Sequence, residues 1–377
     1  MDLAALPVLD HHAHNLLTPE AVAQTPFRAA FTEAYDPAVQ SDHAQHTLFY
    51  RRSLREIAVV LECDPAEEAV LSRRAELGLD QLASRFFRAT NLEGLLLDDG
   101  FLPGQIMPTD WHNRFAPTRR ILRIEALAED LLVAASGFAD VLARFRAALD
   151  PPPANVVGLK TIAAYRTGLD VGRPSVDEAR AAWDRWKQSA PPDRRPRLAD
   201  KALVDFLLHN ALELAARRRL PVQVHTGFGD PDLDLRLANP LHLRPLFEDA
   251  RYKPVPIMLL HASYPFAREA GYLAAVYPNA YLDLGLAIPF LSVSGMRAAT
   301  RALIELAPTT KLLYSSDAHL VPELFYLGAK WGRQVLGDCL EEAVHDGDLT
   351  AGEADDVAEA VLRGNARRLY RPAEPEA

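Results

Sequence analysis

The chain has 377 residues, 49% of them hydrophobic and 24% charged, with a net charge of −10 and two cysteines. That balance belongs to a globular protein, and it excludes a disordered chain, a disulfide framework, a cysteine metal knuckle and, with no apolar run of about 18 residues, a membrane-spanning helix. The acidic excess, with RRRL (217–220) and DRRPR (193–197) as its densest basic stretches, argues against a nucleic-acid groove or an anionic membrane surface and for a small-molecule partner.

The N-terminal MDLAALPVLDHHAHN carries no basic leader and meets two acids and three histidines too early for a signal peptide, so a cytoplasmic address is expected. Eight short apolar runs then follow in order: LPVLD (6–10), LEGLLLDDG (92–100), RILRIEAL (120–127), VVGLK (156–160), LPVQVHTG (220–227), VPIMLLHA (255–262), AYLDLGL (280–286) and KLLYSSDA (311–318). Between several of them lie longer stretches of helical period, such as 199–219, whose apolar residues fall on one stripe. Alternation of this kind implies parallel strands with crossover helices, and eight strands close a barrel. The expectation is one α/β domain over 1–377, a distorted (β/α)8 TIM barrel. Residues 17–91 are too long for one crossover and read as a helical insertion over the barrel mouth. A second insertion, 165–198, holds the helix SVDEARAAWDRWKQSA ended by the breaker PPDRRPR, and C-terminal helices at 350–372 open on the capping box Thr350-x-x-Glu353. Oligomeric state stays open, a homo-oligomer included.

In a parallel barrel the chemistry sits at the carboxyl ends of the strands. Strand one ends in Asp10-His11-His12-Ala13-His14, strand four in Lys160, strand five in His225, strand six in His261 and strand eight in Asp317. His12 and His14, spaced i, i+2 on an extended strand, present two imidazoles to one ion. Singly, each residue has a plainer reading as a packed histidine, a solvated lysine or a helix cap; together they occupy equivalent positions on one face. Nitrogen and oxygen donors without thiolate suit zinc, manganese, iron or nickel, with zinc taken first. His11 is expected to face the helix layer, and His43, His46, His112, His209, His242 and His345 receive no metal role. His319, two residues past Asp317, is the best remaining substrate contact. Tyr165 and Arg166 in AYRTG, just beyond Lys160, join it, Arg166 as a fork for a substrate carboxylate. Arg123 and Glu125 at strand three are expected to pair with each other.

These residues resemble the motif set of the amidohydrolase superfamily: LDHHAHN, GLKTIAAYRTGL, VQVHTGFGD, MLLHASYP and YSSDAH follow one another in its order. The strings KTIAAYRTGL, SSDAHLVPELFYLGA and GNARRLY look most like the branch related to the amidohydrolase domain of fungal FluG and nodulin-type proteins. The resemblance implies that His12 and His14 bind one divalent metal with Asp317, that His225 and His261 bind a second, and that Lys160 bridges them as a carbamate formed with carbon dioxide. Related members use one metal, so one ion or two remain open. It further implies hydrolysis of a small carboxylate-bearing amide, such as a γ-glutamyl amide, by a metal-activated hydroxide, with Asp317 as the proton-transferring catalytic residue. Its alternative is a mononuclear metal-dependent decarboxylase of an unsaturated or aromatic acid. A non-catalytic metal-binding scaffold would account for the ligands but not for Arg166 and Asp317 beside them.

Overall fold

The computed structural model describes residues 1–189 and 196–370. The breaker at 191–197 therefore lies outside the described residues except for its last two positions, and of the expected C-terminal helices at 350–372 only positions 371 and 372 lie outside them. The strands are β1 (Val8–Ala13), β2 (Leu92–Asp98), β3 (Thr118–Arg123), β4 (Val156–Thr161), β5 (Val222–Val224), β6 (Ile257–Leu259), β7 (Ala280–Asp283) and β8 (Leu312–Leu313). They form one parallel sheet in chain order. Beyond β8 the Asp317 amide donates to the His12 carbonyl (3.0 Å) and the His14 amide to the Ala318 carbonyl (2.7 Å), which ties the last strand end to the first. The result is the expected (β/α)8 barrel. Its strands read as apolar runs because each is covered on both faces.

Residues from around the sheet, among them Leu9, Leu96, Ile121, Met258, Leu260 and Leu313, meet in one small buried cluster with Ala366 and Tyr370. Strands that are neighbours only around a barrel can meet this way only in its lumen, so the final helix, Asn365–Tyr370, closes the floor. Two expectations change here. The run 120–127 is not all strand: the chain leaves β3 at Arg123 and enters the helix Ile124–Ala134. His11 does not face the helix layer. The β1–β2 register shifts between Asp10 and Ala13, and this irregularity lets His11 join His12 on the inner side. His11 stacks on Tyr370, with ring centroids 5.6 Å apart.

The 17–91 segment is helical, with Pro19–Gln24, Leu48–Leu61 and Glu67–Thr90, the last broken at Gly78, whose φ of 66° takes it out of the helix. Its part after Gly78 packs on the helix Glu323–Asp346 through Phe87 and Phe325 (4.9 Å between rings) and so acts as the crossover to β2. The Leu48–Leu61 helix instead reaches the loop after β7. Phe49 meets Phe290 at 4.6 Å, and Arg52 donates to the carbonyls of Pro289 (2.8 Å) and Leu291 (3.0 Å). That loop lies on the carboxyl-end face, so this helix reaches the side on which the expected site stands. The helix Val176–Ser189 occupies the second insertion, and Thr350 and Glu353 form the expected capping box.

Candidate metal centre

The strand ends bring six of the predicted residues together. His12 Nε2 lies 3.0 Å from Asp317 Oδ1, His14 Nε2 3.4 Å from the same oxygen, and His261 Nδ1 3.6 Å from Oδ2. The His225 and His261 rings are 4.3 Å apart, and Lys160 Nζ lies 3.1 Å from His12 Nε2. Lys160 is 1% exposed and makes no ion pair among the described residues. Two of the rings have a backbone carbonyl on their far side. His14 Nδ1 faces the Asp98 carbonyl at 2.9 Å, and His225 Nε2 faces the Phe228 carbonyl at 3.2 Å. A carbonyl only accepts, so with a cation bound each of those nitrogens would carry the hydrogen and the other nitrogen of the ring would offer its lone pair.

Burial governs the charges. It pushes His12 down to about 4, with the Lys160 charge adding to the effect, and it holds His225 and His261 well below the ordinary imidazole range. All three are neutral at pH 7, the form that ligates. For Asp317 burial acts upward, but His261 and the contacts from His12 and His14 outweigh it and keep the carboxyl well below its usual range. Burial also lowers Lys160 to about 8, against the pull of Asp98 and Asp317. His12, His261 and Asp317 each offer a donor atom within 4.8 Å of the others, and His261 Nδ1 is buried without a hydrogen-bond partner. A divalent cation fits that set, since neutral imidazole and carboxylate are its ordinary nitrogen and oxygen donors.

The substrate candidates are placed less uniformly. Tyr165, on the turn Ala163–Arg166 after β4, lies with its ring 4.3 Å from that of His225, and Gly229 gives its hydroxyl room. His319 sits between Phe101 and Phe290, at 6.4 and 6.3 Å, with Nδ1 3.1 Å from the Asp317 carbonyl. Arg166 instead pairs with Glu129 at 3.0 Å, and Glu129 also accepts from the Leu198 amide, so this guanidinium is built into the packing beside the second insertion. Arg123 and Glu125 do not pair with each other. Arg123 binds Asp98 at the end of β2 (2.6 Å), while Glu125, carried onto a helix, accepts from Thr161 Oγ1 (2.5 Å) and the Ile162 amide (3.0 Å). His112 and His209 are packed residues, the first accepting from the Leu16 amide and the second held between Tyr252 and the Gly172 carbonyl.

Several residues of the site were missed. Glu33, from the first insertion, is raised to about 8 by burial and then by the charges of Asp317 and Asp230. No strand precedes it, so strand-end logic was blind to it. Asp98 and Asp283 close β2 and β7 in LLLDD and AYLDL, and the criterion that found Asp317 would have found both.

An all-parallel eight-stranded barrel with histidines, a lysine and an aspartate converging at its carboxyl end is the architecture of an amidohydrolase-type barrel with a candidate metal site. The chain belongs to the amidohydrolase family, whose model matches residues 159–371. It is 35% identical over 405 aligned positions to protein fluG of Emericella nidulans, an alignment that takes in 97% of this chain and 45% of that protein. The chain thus spans under half the length of that relative. A Lactobacillus casei protein assigned as a metal-dependent hydrolase superposes with a TM-score of 0.86 at 30% identity, over 99% of both chains. Uronate isomerase from Thermotoga maritima shares the fold alone, with a TM-score of 0.65 at 14% identity over 98% of this chain and 95% of its own. Among the described residues no helix is long and apolar enough to cross a membrane.

Proposed function

We propose that this chain is a metal-dependent hydrolase of a carbon–nitrogen bond other than a peptide bond, acting on a small carboxylate-bearing amide, with a γ-glutamyl amide as the leading substrate. The observation that carries the reading is the buried convergence of His12, His14 and His261 on one ionised carboxylate, Asp317, with His225 and Lys160 beside them. A divalent ion, zinc by first choice, would be held by His12, His14, His261 and Asp317 with His225 beside them, and would supply an acidified water and Lewis acidity toward a carbonyl. Asp317 takes the proton of the attacking water and returns it to the departing nitrogen, which must leave as a neutral amine. Lys160, lowered by burial, is the amine to add to carbon dioxide: its nitrogen bonds the carbon, one N–H proton goes to solvent, and the anionic carbamate offers two oxygens where an ammonium offers none. Tyr165 and His319 flank the reacting group. Arg166 keeps a buried Nε–H without an acceptor, a donor in reserve for a substrate carboxylate. The reading takes the cytoplasm as the site of action and a small molecule as the partner.

One observation favours a second reading. The three donors that lie mutually close, His12, His261 and Asp317, describe a single ion position, and a single ion serves a decarboxylase of unsaturated or aromatic acids as well as a hydrolase. One experiment separates the two. The full chain, stripped and reconstituted with zinc, is incubated with γ-glutamyl amides, alkyl amides lacking the carboxylate, and aromatic acids, while released amine and carbon dioxide are both measured. Amine release confined to the carboxylate-bearing amides is expected. Carbon dioxide without amine would hand the site to the lyase, and no amine from any amide overturns the hydrolase.

A further inference from the structure

His261 leaves β6 in a backbone conformation that L residues seldom adopt: His261, Ala262 and Ser263 have φ of 69°, 51° and 48°. Asp317 has φ of 52°. Two groups that converge on the candidate ion position therefore stand on left-handed backbone. Local preference would turn such residues back, so the surroundings must hold them.

One carboxylate reaches both turns. Asp283 ends β7, the strand between β6 and β8, and is fully buried. Its Oδ1 accepts the His261 amide at 2.6 Å, and its Oδ2 accepts the hydroxyl of Ser315, two residues before Asp317. Around the second contact there is no spare room. A Cβ at Gly285 would run into Ser315 Oγ and come within 3.0 Å of Asp283 Oδ2. From below, His11 Nε2 lies 3.5 Å from Asp283 Oδ2, and its Nδ1 meets the Tyr370 hydroxyl at 3.2 Å. The carboxylate is therefore fixed from three directions. The chemistry asks for this residue type, because two donors on two different strand ends need two acceptor atoms on one short stem.

We infer that Asp283 is a positioning residue of the metal centre, its carboxylate bridging the His261 amide and the Ser315 hydroxyl and so setting the separation of the His261 ring from the Asp317 carboxylate. It touches neither ion nor substrate and acts through those two residues. The inference rests on the reading of His261 and Asp317 as ligands. Cobalt(II) titration of the metal-stripped full chain tests it, with affinity read by chelator competition and coordination geometry by visible absorption. The wild type should bind cobalt. Asp283→Ala should weaken binding about 10- to 100-fold and shift the absorption bands, as loss of a group that orients a ligand does. Asp283→Asn keeps the acceptor for His261 and should recover most of the affinity, a rescue that a mere packing role would not predict. Ser315→Ala, a smaller change safe for folding, should shift the bands with a several-fold loss. A folded Asp283→Ala with wild-type affinity and spectrum overturns the inference. Should that variant fail to fold, an unchanged Ser315→Ala overturns it instead. Wild-type protein that binds no cobalt overturns the metal centre itself, a different failure.

Discussion

Neutral imidazoles in a buried site leave a signature in the pH dependence of folding. His12 is lowered from 6.5 to about 4, chiefly by burial. Below about pH 6.5 the unfolded chain takes up a proton on this ring that the folded one refuses until about pH 4, so the stability linked to His12 is complete above that window and lost as the pH falls through it. The gap amounts to about 3 kcal/mol. Glu33 and Asp10, raised by burial to about 8 and about 7, work with the opposite sign over part of the same range, because their stability is lost as the pH rises. The measurement is therefore a difference. In metal-free protein the melting temperature of wild type relative to His12→Asn should decline from pH 6.5 to 4. A constant difference would mean that His12 is not held neutral. At Lys160 the expected outcome is chemical: Lys160→Ala should lose most activity and part of the metal, and short carboxylic acids, which would mimic the oxygens of the proposed carbamate, should restore some of both. Metal and activity untouched by the substitution would remove the bridging lysine from the mechanism.

At the scale of elements, the first insertion and the strands separate what the sequence could reveal from what it could not. Strands buried on both faces are written as apolar runs, and a polar residue directly after one is conspicuous, which is why His12, Lys160, His225, His261 and Asp317 were legible. The irregularity in β1 that turns His11 inward has no local mark, since it depends on register against β2. Glu33 carried no such mark, because it lies in a non-helical stretch of the first insertion, between the turns Phe27–Phe31 and Val39–His43, with no strand directly before it. The Leu48–Leu61 helix of that insertion is fastened through Arg52, which stacks over Trp331 at 4.0 Å besides donating to Pro289 and Leu291. Charged hydrogen bonds of this kind are worth about 1.5–3 kcal/mol. Arg52→Ala should therefore loosen the Leu48–Leu61 helix and the loop carrying Phe290 without disturbing the strand ends. Faster hydrogen exchange confined to those two stretches and a raised KM at unchanged metal stoichiometry are expected. Loss of metal in this variant would show that the insertion supports the centre itself.

At the scale of the whole barrel, the floor closes on the helix Asn365–Tyr370. The lumen cluster of Leu9, Leu96, Ile121, Met258, Leu260 and Leu313 is sealed by Ala366 and Tyr370, residues that the chain reaches only after every strand has been laid down. Asn365 Nδ2 holds that helix to the carbonyls of Leu312 (2.7 Å) and Thr309 (2.9 Å), and Gln223 Nε2, from β5, donates to the Tyr370 hydroxyl at 2.9 Å and to the His11 carbonyl at 2.8 Å. Tyr370 thus supplies both volume and a polar partner to the floor beneath the site, and two substitutions separate them. Tyr370→Phe keeps the ring but leaves Gln223 and His11 short of a partner, which should cost about 1–3 kcal/mol. Tyr370→Ala also opens a cavity in the lumen, and large-to-small changes of an aromatic residue cost about 3–5 kcal/mol. Urea denaturation of the full chain should rank the wild type above Tyr370→Phe and Tyr370→Ala well below both. Equal losses in the two variants would mean that the ring fills no essential space, and the floor would then be held by its hydrogen bonds alone.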